Sequence, residues 1–306
     1  MKKFGPLMIM AAASLWAIDA IFRTVLTFSI PVSVIVLIEH IIGFIFLSPF
    51  LLKDLGALRK LELKSWAVLL LMCLLSSVLG TLLFTQALND SFAIKDFATP
   101  ILLQKLQPIF VIILSSIFLK EKVTLKFVFW AIIALIGSYL ISFGFNPISL
   151  TFSQRELVYL LAIGAAFAWG GGTILSKYLL GKLNFMTASA LRFLFAIPFA
   201  LLSILIFEQT IDISSVGVDQ LWRFVVIGGV TGGAFAIYLY YKGLQSTKAK
   251  VSTFAELAFP VISILIAVTP LNPYGEAQNL VLGNVVGIIL LLVAITKISF
   301  DKALAE

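Results

Sequence analysis

Ten apolar stretches, each long enough to cross a lipid bilayer and each bounded by charge, proline or glycine, leave a chain of 306 residues almost no room for anything else. A hydrocarbon core of about 30 Å takes about 20 residues of α-helix. With no water there to satisfy backbone N–H and C=O groups, the helix is the form such stretches adopt. The spacing predicts helices over 4–27, 32–52, 66–88, 98–119, 127–145, 156–180, 184–207, 220–243, 251–270 and 278–297. The first run follows Met1-Lys2-Lys3 and continues past Ala11-Ala12-Ala13 to about Thr27, so it reads as a retained helix and not as a cleaved leader.

Composition excludes several classes. With 61% hydrophobic and 12% charged residues and a mean hydropathy of +1.10, no water-soluble domain is expected. The formal charge of +7 does not point to nucleic acid, because the basic residues are scattered over short connecting segments. They are instead sorted by side. If the N-terminus is cytoplasmic, one side carries Lys2, Lys3, Lys53, Arg59, Lys60, Lys64, Lys120, Lys122, Lys126, Lys177, Lys182, Lys242, Lys248, Lys250, Lys297 and Lys302, and the other only Arg23, Lys95, Arg155 and Arg223. That bias predicts both termini in the cytoplasm. The lone Cys73 and lone His40 supply neither a disulfide nor a metal ligand set. No cofactor is expected, and without a Gly-rich phosphate loop or a nucleophile–base set, no enzyme either.

The two halves resemble each other at a spacing near 153. Leu15-Trp16-Ala17 answers Ala168-Trp169-Gly170, Glu39 falls opposite Arg192, and Gln107-Pro108-Ile109 lines up with Phe259-Pro260-Val261. Five crossings per half is an odd number, so the second half must enter from the opposite side, and the predicted fold is an all-α inverted repeat over 1–148 and 149–306. Secondary transporters are commonly built this way.

On Trp16, Gln107-Pro108-Ile109-Phe110, Leu119-Lys120-Glu121-Lys122, Ala134-Leu135-Ile136-Gly137, Phe259-Pro260-Val261 and Gly283 to Gly287, the chain resembles the drug/metabolite transporter superfamily, specifically its EamA-like ten-helix exporters. The resemblance implies a cavity lined by helices 1–4 and 6–9, with helices 5 and 10 outside it. It carries no counterpart of Glu121 cleanly to the second half, where extra residues separate Pro270 from Glu276.

Charges inside spanning segments cost at least about 2.5–3.5 kcal/mol each and mark function or pairing. At 1.5 Å per residue, Asp19, Glu39 and Lys105 fall in one layer toward the outer side, with Arg23 one turn beyond Asp19, while Arg192 and Glu256 form a mirrored layer. These layers read either as a charge-balanced pocket or as buried ion pairs, Glu39 with Lys105, Asp19 with Arg23 and Arg192 with Glu256. Arg23 is expected to snorkel outward and to be dispensable. The candidate pathway comprises Trp16, Asp19, Glu39, His40, Gln104, Lys105, Gln107, Trp169, Arg192, Tyr238, Tyr241 and Glu256, with Pro108 and Pro260 as hinges. On helix 8, Thr231, Ala234, Tyr238 and Tyr241 or Lys242 share a face behind paired glycines. His40 has the alternative of a structural hydrogen bond, and the two tryptophans of packing.

The expectation is a secondary carrier in the cytoplasmic membrane. Its substrate is a small polar or amphipathic metabolite, amino acids favoured because both charge signs occur, and protons are the candidate coupling ion. A channel is the alternative, and a membrane-embedded enzyme the weaker one. Substrate, direction of transport and oligomeric state are not readable from these residues.

Overall fold

The computed structural model describes residues 4–93, 100, 103–147, 156–207, 209–210, 217–273 and 275–305. Every element among them is helical. Among the described residues nine helices are long and apolar enough to cross a membrane, and a further apolar helix, Gln107–Phe118, is shorter. We number the long elements α1 (Gly5–Thr27), α2 (Val32–Lys53), α3 (Leu63–Met72, Cys73–Leu79 and Gly80–Ala93 in sequence), α4 (Gln107–Phe118), α5 (Leu125–Phe143), α6 (Glu156–Leu179), α7 (Phe185–Ile206), α8 (Leu221–Val226, Ile227–Thr231 and Ala234–Ser246), α9 (Ala249–Ala255 and Ala258–Ala267) and α10 (Leu282–Phe300).

The departures from regular helix fall at matching places. The middle parts of α3 and α8, Cys73–Leu79 and Ile227–Thr231, are π-helical, an insertion that widens the turn and is frequent at functional positions. The fourth helix expected over 98–119 is interrupted by a turn at Lys105-Leu106 and resumes at Gln107, and its expected first residues lie partly outside the described ones. The ninth, expected unbroken over 251–270, is interrupted at Glu256-Leu257. Proline explains both breaks. Pro108 and Pro260 have no N–H to offer the fourth residue back and their rings crowd the preceding turn. The backbone bridges each gap with tighter bonds, from Leu106 N–H to Leu103 O (3.1 Å) and Ile109 N–H to Leu106 O (2.9 Å) in one, and from Leu257 N–H to Phe254 O (3.1 Å) and Phe259 N–H to Glu256 O (3.0 Å) in the other. The last helix ends at Phe300 rather than near 297.

The packing pairs elements across the halves. α1 lies on α8 and α9, α6 on α3 and α4, α2 on α7, and α5 on α10. The α5–α10 pair packs closely. A methyl on Gly137 would stand 2.8 Å from Leu291 N, and one on Gly287 would stand 2.6 Å from Ile141 N. The Asn284 amide donates to the carbonyls of Leu140 (3.2 Å) and Ile141 (2.9 Å) across the same seam.

At the end where α1 starts, one apolar cluster joins α1, α2, α3, α6, α7 and α8 and reaches Ala255 of α9, beside a second on α5, α9 and α10 around Phe127 and Phe254. Toward the other end the buried residues divide between a group on α1, α2, α7 and α8, joined by Val78 of α3, and a separate group on α3 and α6 around Ala87 and Tyr159.

Candidate functional site

Two groups of polar side chains lie inside the helical bundle, and they are built differently. The first is a clip. Asp19 and Arg23 stand four residues apart on α1, one helical turn, and so share a face. The Arg23 guanidinium donates through Nε to Asp19 Oδ2 and through Nη2 to Glu39 Oε2 of α2 at 3.0 Å. Thr231, at the end of the π-helical part of α8, donates its hydroxyl to Asp19 Oδ1 at 2.6 Å. The next residue is Gly232 for a steric reason: a methyl there would meet Asp19 Oδ1 and Arg23 Nη2 at 2.8 Å each and Glu39 Oε1 at 3.0 Å. This overturns two expectations. The expected Asp19–Arg23 pair forms, but Glu39 pairs with Arg23 and not with Lys105, and Arg23 turns inward to hold two carboxylates where it was expected to snorkel outward.

The second group gathers at the α9 break. Glu256, released from regular helix there, accepts from the Tyr240 hydroxyl of α8 at 2.9 Å and from the Gln107 amide of α4 at 3.1 Å. Tyr240 is within hydrogen-bond distance of the Thr173 hydroxyl of α6 (3.2 Å), and its ring lies 5.2 Å from that of Trp16 of α1. Gln107 and Glu256, each beside its own helix break, therefore meet. The expected Arg192–Glu256 ion pair is absent. Arg192 donates instead to Tyr241 Oη (3.2 Å) and stacks over its ring at 5.8 Å. Tyr241 in turn contacts Ser176 Oγ (3.0 Å) and Met72 Sδ (3.4 Å). Among the described residues no Lys or Arg lies within ion-pair distance of Glu256.

The remaining expected residues are distributed as follows. Lys105 sits at the α4 break but reaches the other way, donating to Ser142 Oγ and Ser138 O of α5. Gln104 donates to Gln107 Oε1 at 3.5 Å. His40 is buried with Nδ1 2.7 Å from Val36 O of its own helix and its ring 5.2 Å from that of Phe193. Trp169 rests on Phe84 (5.6 Å) over Gly80, where a methyl would meet its Nε1 at 2.6 Å. Tyr238 accepts from Lys242 (3.2 Å) and stacks on Phe235. The buried Cys73 thiol points at the Arg192 carbonyl, 3.5 Å away.

Sequence reasoning did not single out Tyr240 or Thr173. The paired tyrosines 240 and 241 were a signal, since adjacent helical positions point about 100° apart and serve two different neighbours. It also missed the closure at the α1-start end. There the buried Glu121 accepts the backbone N–H of Ala249 (2.8 Å) and Lys250 (2.9 Å), while Lys250 Nζ donates to Lys122 O at 2.6 Å and lies 4.9 Å over the Phe127 ring. Lys120 takes a positive φ of 55° to make this turn.

Two matches to the EamA-like transporter family, over residues 3–143 and 156–300, account for nearly the whole chain. The chain belongs to this family. It is thus a multi-pass membrane transporter of the drug/metabolite type. A riboflavin transporter, ImpX, of Fusobacterium nucleatum is 34% identical over 303 residues, covering 96% of this chain and 97% of its own. An uncharacterized transporter of Methanothermobacter thermautotrophicus is 28% identical over 135 residues, 44% of this chain and 38% of its own. A solved crystal structure superposes with a TM-score of 0.77 over 98% of this chain and 100% of its own, at 16% identity, a likeness in fold.

Proposed function

We propose that this EamA-family protein is a ten-helix carrier of riboflavin or a closely related flat, neutral heterocycle, working by alternating access in the cytoplasmic membrane with both termini inside. The observation that carries the reading is the cation-free wall where the two broken helices meet: Gln107, Glu256 and Tyr240, with Trp16 alongside. An isoalloxazine ring offers apolar faces for aromatic stacking and amide-like edges for neutral donors and acceptors, and a ribityl chain offers hydroxyls. Stacked aromatics contribute about 0.5–1.5 kcal/mol beyond their buried area. The similarity to ImpX over the full length supports the same class.

An amino acid was favoured while both charge signs were thought free to meet a substrate. Asp19, Arg23 and Glu39 are engaged with one another and Arg192 with Tyr241, which removes that support. Amino acids become the competitor class in the assay.

The inverted-repeat organisation, residues 1–148 against 149–306, is supported by the doubled family match, by π-helical parts in both α3 and α8 and by breaks in both α4 and α9. In this frame the end where α1 starts, where Glu121 and Lys250 tie the turn before α5 to α9, is cytoplasmic. The breaks at Pro108 and Pro260 are the hinges about which the helices re-angle. Proteoliposomes preloaded with unlabelled riboflavin test the function. Saturable counter-flow of labelled riboflavin, competed by flavin analogues and not by amino acids, is the expected result. Counter-flow of amino acids alone would transfer the assignment to them, and unsaturable flux would indicate a channel.

A further inference from the structure

We infer that Glu256 is the proton-binding group of a riboflavin–proton symporter, loaded when the substrate displaces water from the site. This rests on the reading of the Gln107–Glu256–Tyr240 wall as the substrate site.

The argument begins with charge. A carboxylate within a membrane domain is held ionised by a cation, by water, or not at all. Glu256 has two neutral donors and no cation: Tyr240 Oη at 2.9 Å and Gln107 Nε2 at 3.1 Å. Charged groups on the helices packed around it bond elsewhere, Lys242 of α8 to the Tyr238 hydroxyl at 3.2 Å among them. Asp19 and Arg23 of α1 are closed on each other and on Glu39. Lys105 of α4 is turned to α5. Lys177 of α6 donates to the carbonyls of Leu244 (2.6 Å) and Gln245 (3.1 Å), and Lys250 of α9 to that of Lys122. Among the titratable side chains described on these helices, Tyr240 alone is bonded to Glu256. Its ring stacks on Trp16 and its hydroxyl reaches the carboxylate, so one residue joins the aromatic surface to the acid.

Water therefore decides the ionisation of Glu256. Where water reaches it, a half-buried carboxylate can carry its charge. A neutral aromatic solute filling that space takes the water away and offers no cation, and the carboxylate then takes up a proton from the open side. The balance is one proton added to one carboxylate oxygen, charge −1 becoming neutral, with no covalent change in the substrate. The neutral, filled site can be enclosed and turned to the other side. There the substrate leaves, water returns, and the proton follows it out. Linkage requires the converse: protonation strengthens substrate binding by the same factor as substrate strengthens proton binding. With one proton taken up per substrate, the dissociation constant rises up to about tenfold per unit of increasing pH. The clip cannot serve in this way, because its carboxylates keep their guanidinium whether or not the site is filled.

The experiment uses the full-length protein in detergent, riboflavin as the probe, weak buffer and a pH indicator. Riboflavin itself exchanges no proton near neutral pH, so uptake reports the protein. Wild type is expected to take up close to one proton per riboflavin bound. Glu256→Gln should bind riboflavin with no proton uptake and with affinity independent of pH, whereas Glu39→Gln should keep the wild-type stoichiometry. Riboflavin binding by wild type without proton uptake would overturn the inference and leave the carrier reading standing. So would uptake that survives Glu256→Gln. Failure of wild type to bind riboflavin would overturn the substrate reading and the inference with it. If Glu256→Gln does not fold, Glu256→Asp replaces it: a shifted pH dependence of the proton uptake is expected, and a wild-type pH dependence would overturn the assignment.

Discussion

The clip formed by Asp19, Arg23 and Glu39 and the wall formed by Gln107, Tyr240 and Glu256 both place carboxylates within the helical bundle, yet they solve opposite problems. In the clip one guanidinium answers two carboxylates, a threonine hydroxyl completes the set, and Gly232 lets α8 close over it with no room for a methyl group. Such a group gains by staying as it is. In the wall a carboxylate stands at a helix break with neutral donors only, contributed by α4 and α8. Such a group gains by exchanging partners. The contrast separates charge that fastens helices from charge available to a passing solute, a distinction that sequence position alone does not make.

The comparison is sharpened first where the largest effect is expected. Arg23→Gln leaves two carboxylates without their cation, and removing one partner of a buried ion group costs about 3–5 kcal/mol. Thermal unfolding in detergent should show a large loss of stability before any transport is measured, and a wild-type melting temperature would return Arg23 to the snorkelling role. Gly232→Ala should be milder, about 1–3 kcal/mol for overpacking, and would appear in the same assay with no dependence on riboflavin. Tyr240→Phe removes one donor to Glu256 and keeps the ring. That bond lies within the protein, so its loss should lower the melting temperature by the equivalent of about 1 kcal/mol, with or without riboflavin. The smallest change belongs to Lys105→Met, whose ammonium faces α5. Riboflavin counter-flow should stay within about twofold of wild type, since a net hydrogen bond contributes so little. Abolished flux there would place Lys105 in the pathway after all.

Much of the architecture was legible in advance because a bilayer demands it. Helix lengths follow from its thickness, and the repeat-related prolines marked both breaks before they were seen. Partners were harder to read. Layer arguments from rise per residue put Glu39 and Lys105 at one depth, but depth does not say which way a side chain turns around its helix. Lys105 lies on the α5 side of α4 and Glu39 faces α1, so each found the nearest group on its own side. The π-helical parts of α3 and α8 shift the angular register by an extra residue. Face assignments along α8 therefore placed Tyr241 correctly in the interior but passed over Tyr240. Gly228-Gly229 and Gly232-Gly233 signalled close packing, and the packing is indeed close. A methyl on Gly228 would meet Ile42 Cβ at 2.8 Å.

The central claim is that riboflavin passes the wall where α4 and α9 break. Counter-flow of labelled riboflavin in proteoliposomes holding wild type or Gln107→Ala at equal folded amount tests it most directly. The account predicts saturable counter-flow in wild type and a loss of about tenfold or more in Gln107→Ala, equivalent to about 1.4 kcal/mol or more, with the melting temperature preserved. Wild-type counter-flow in Gln107→Ala would contradict it.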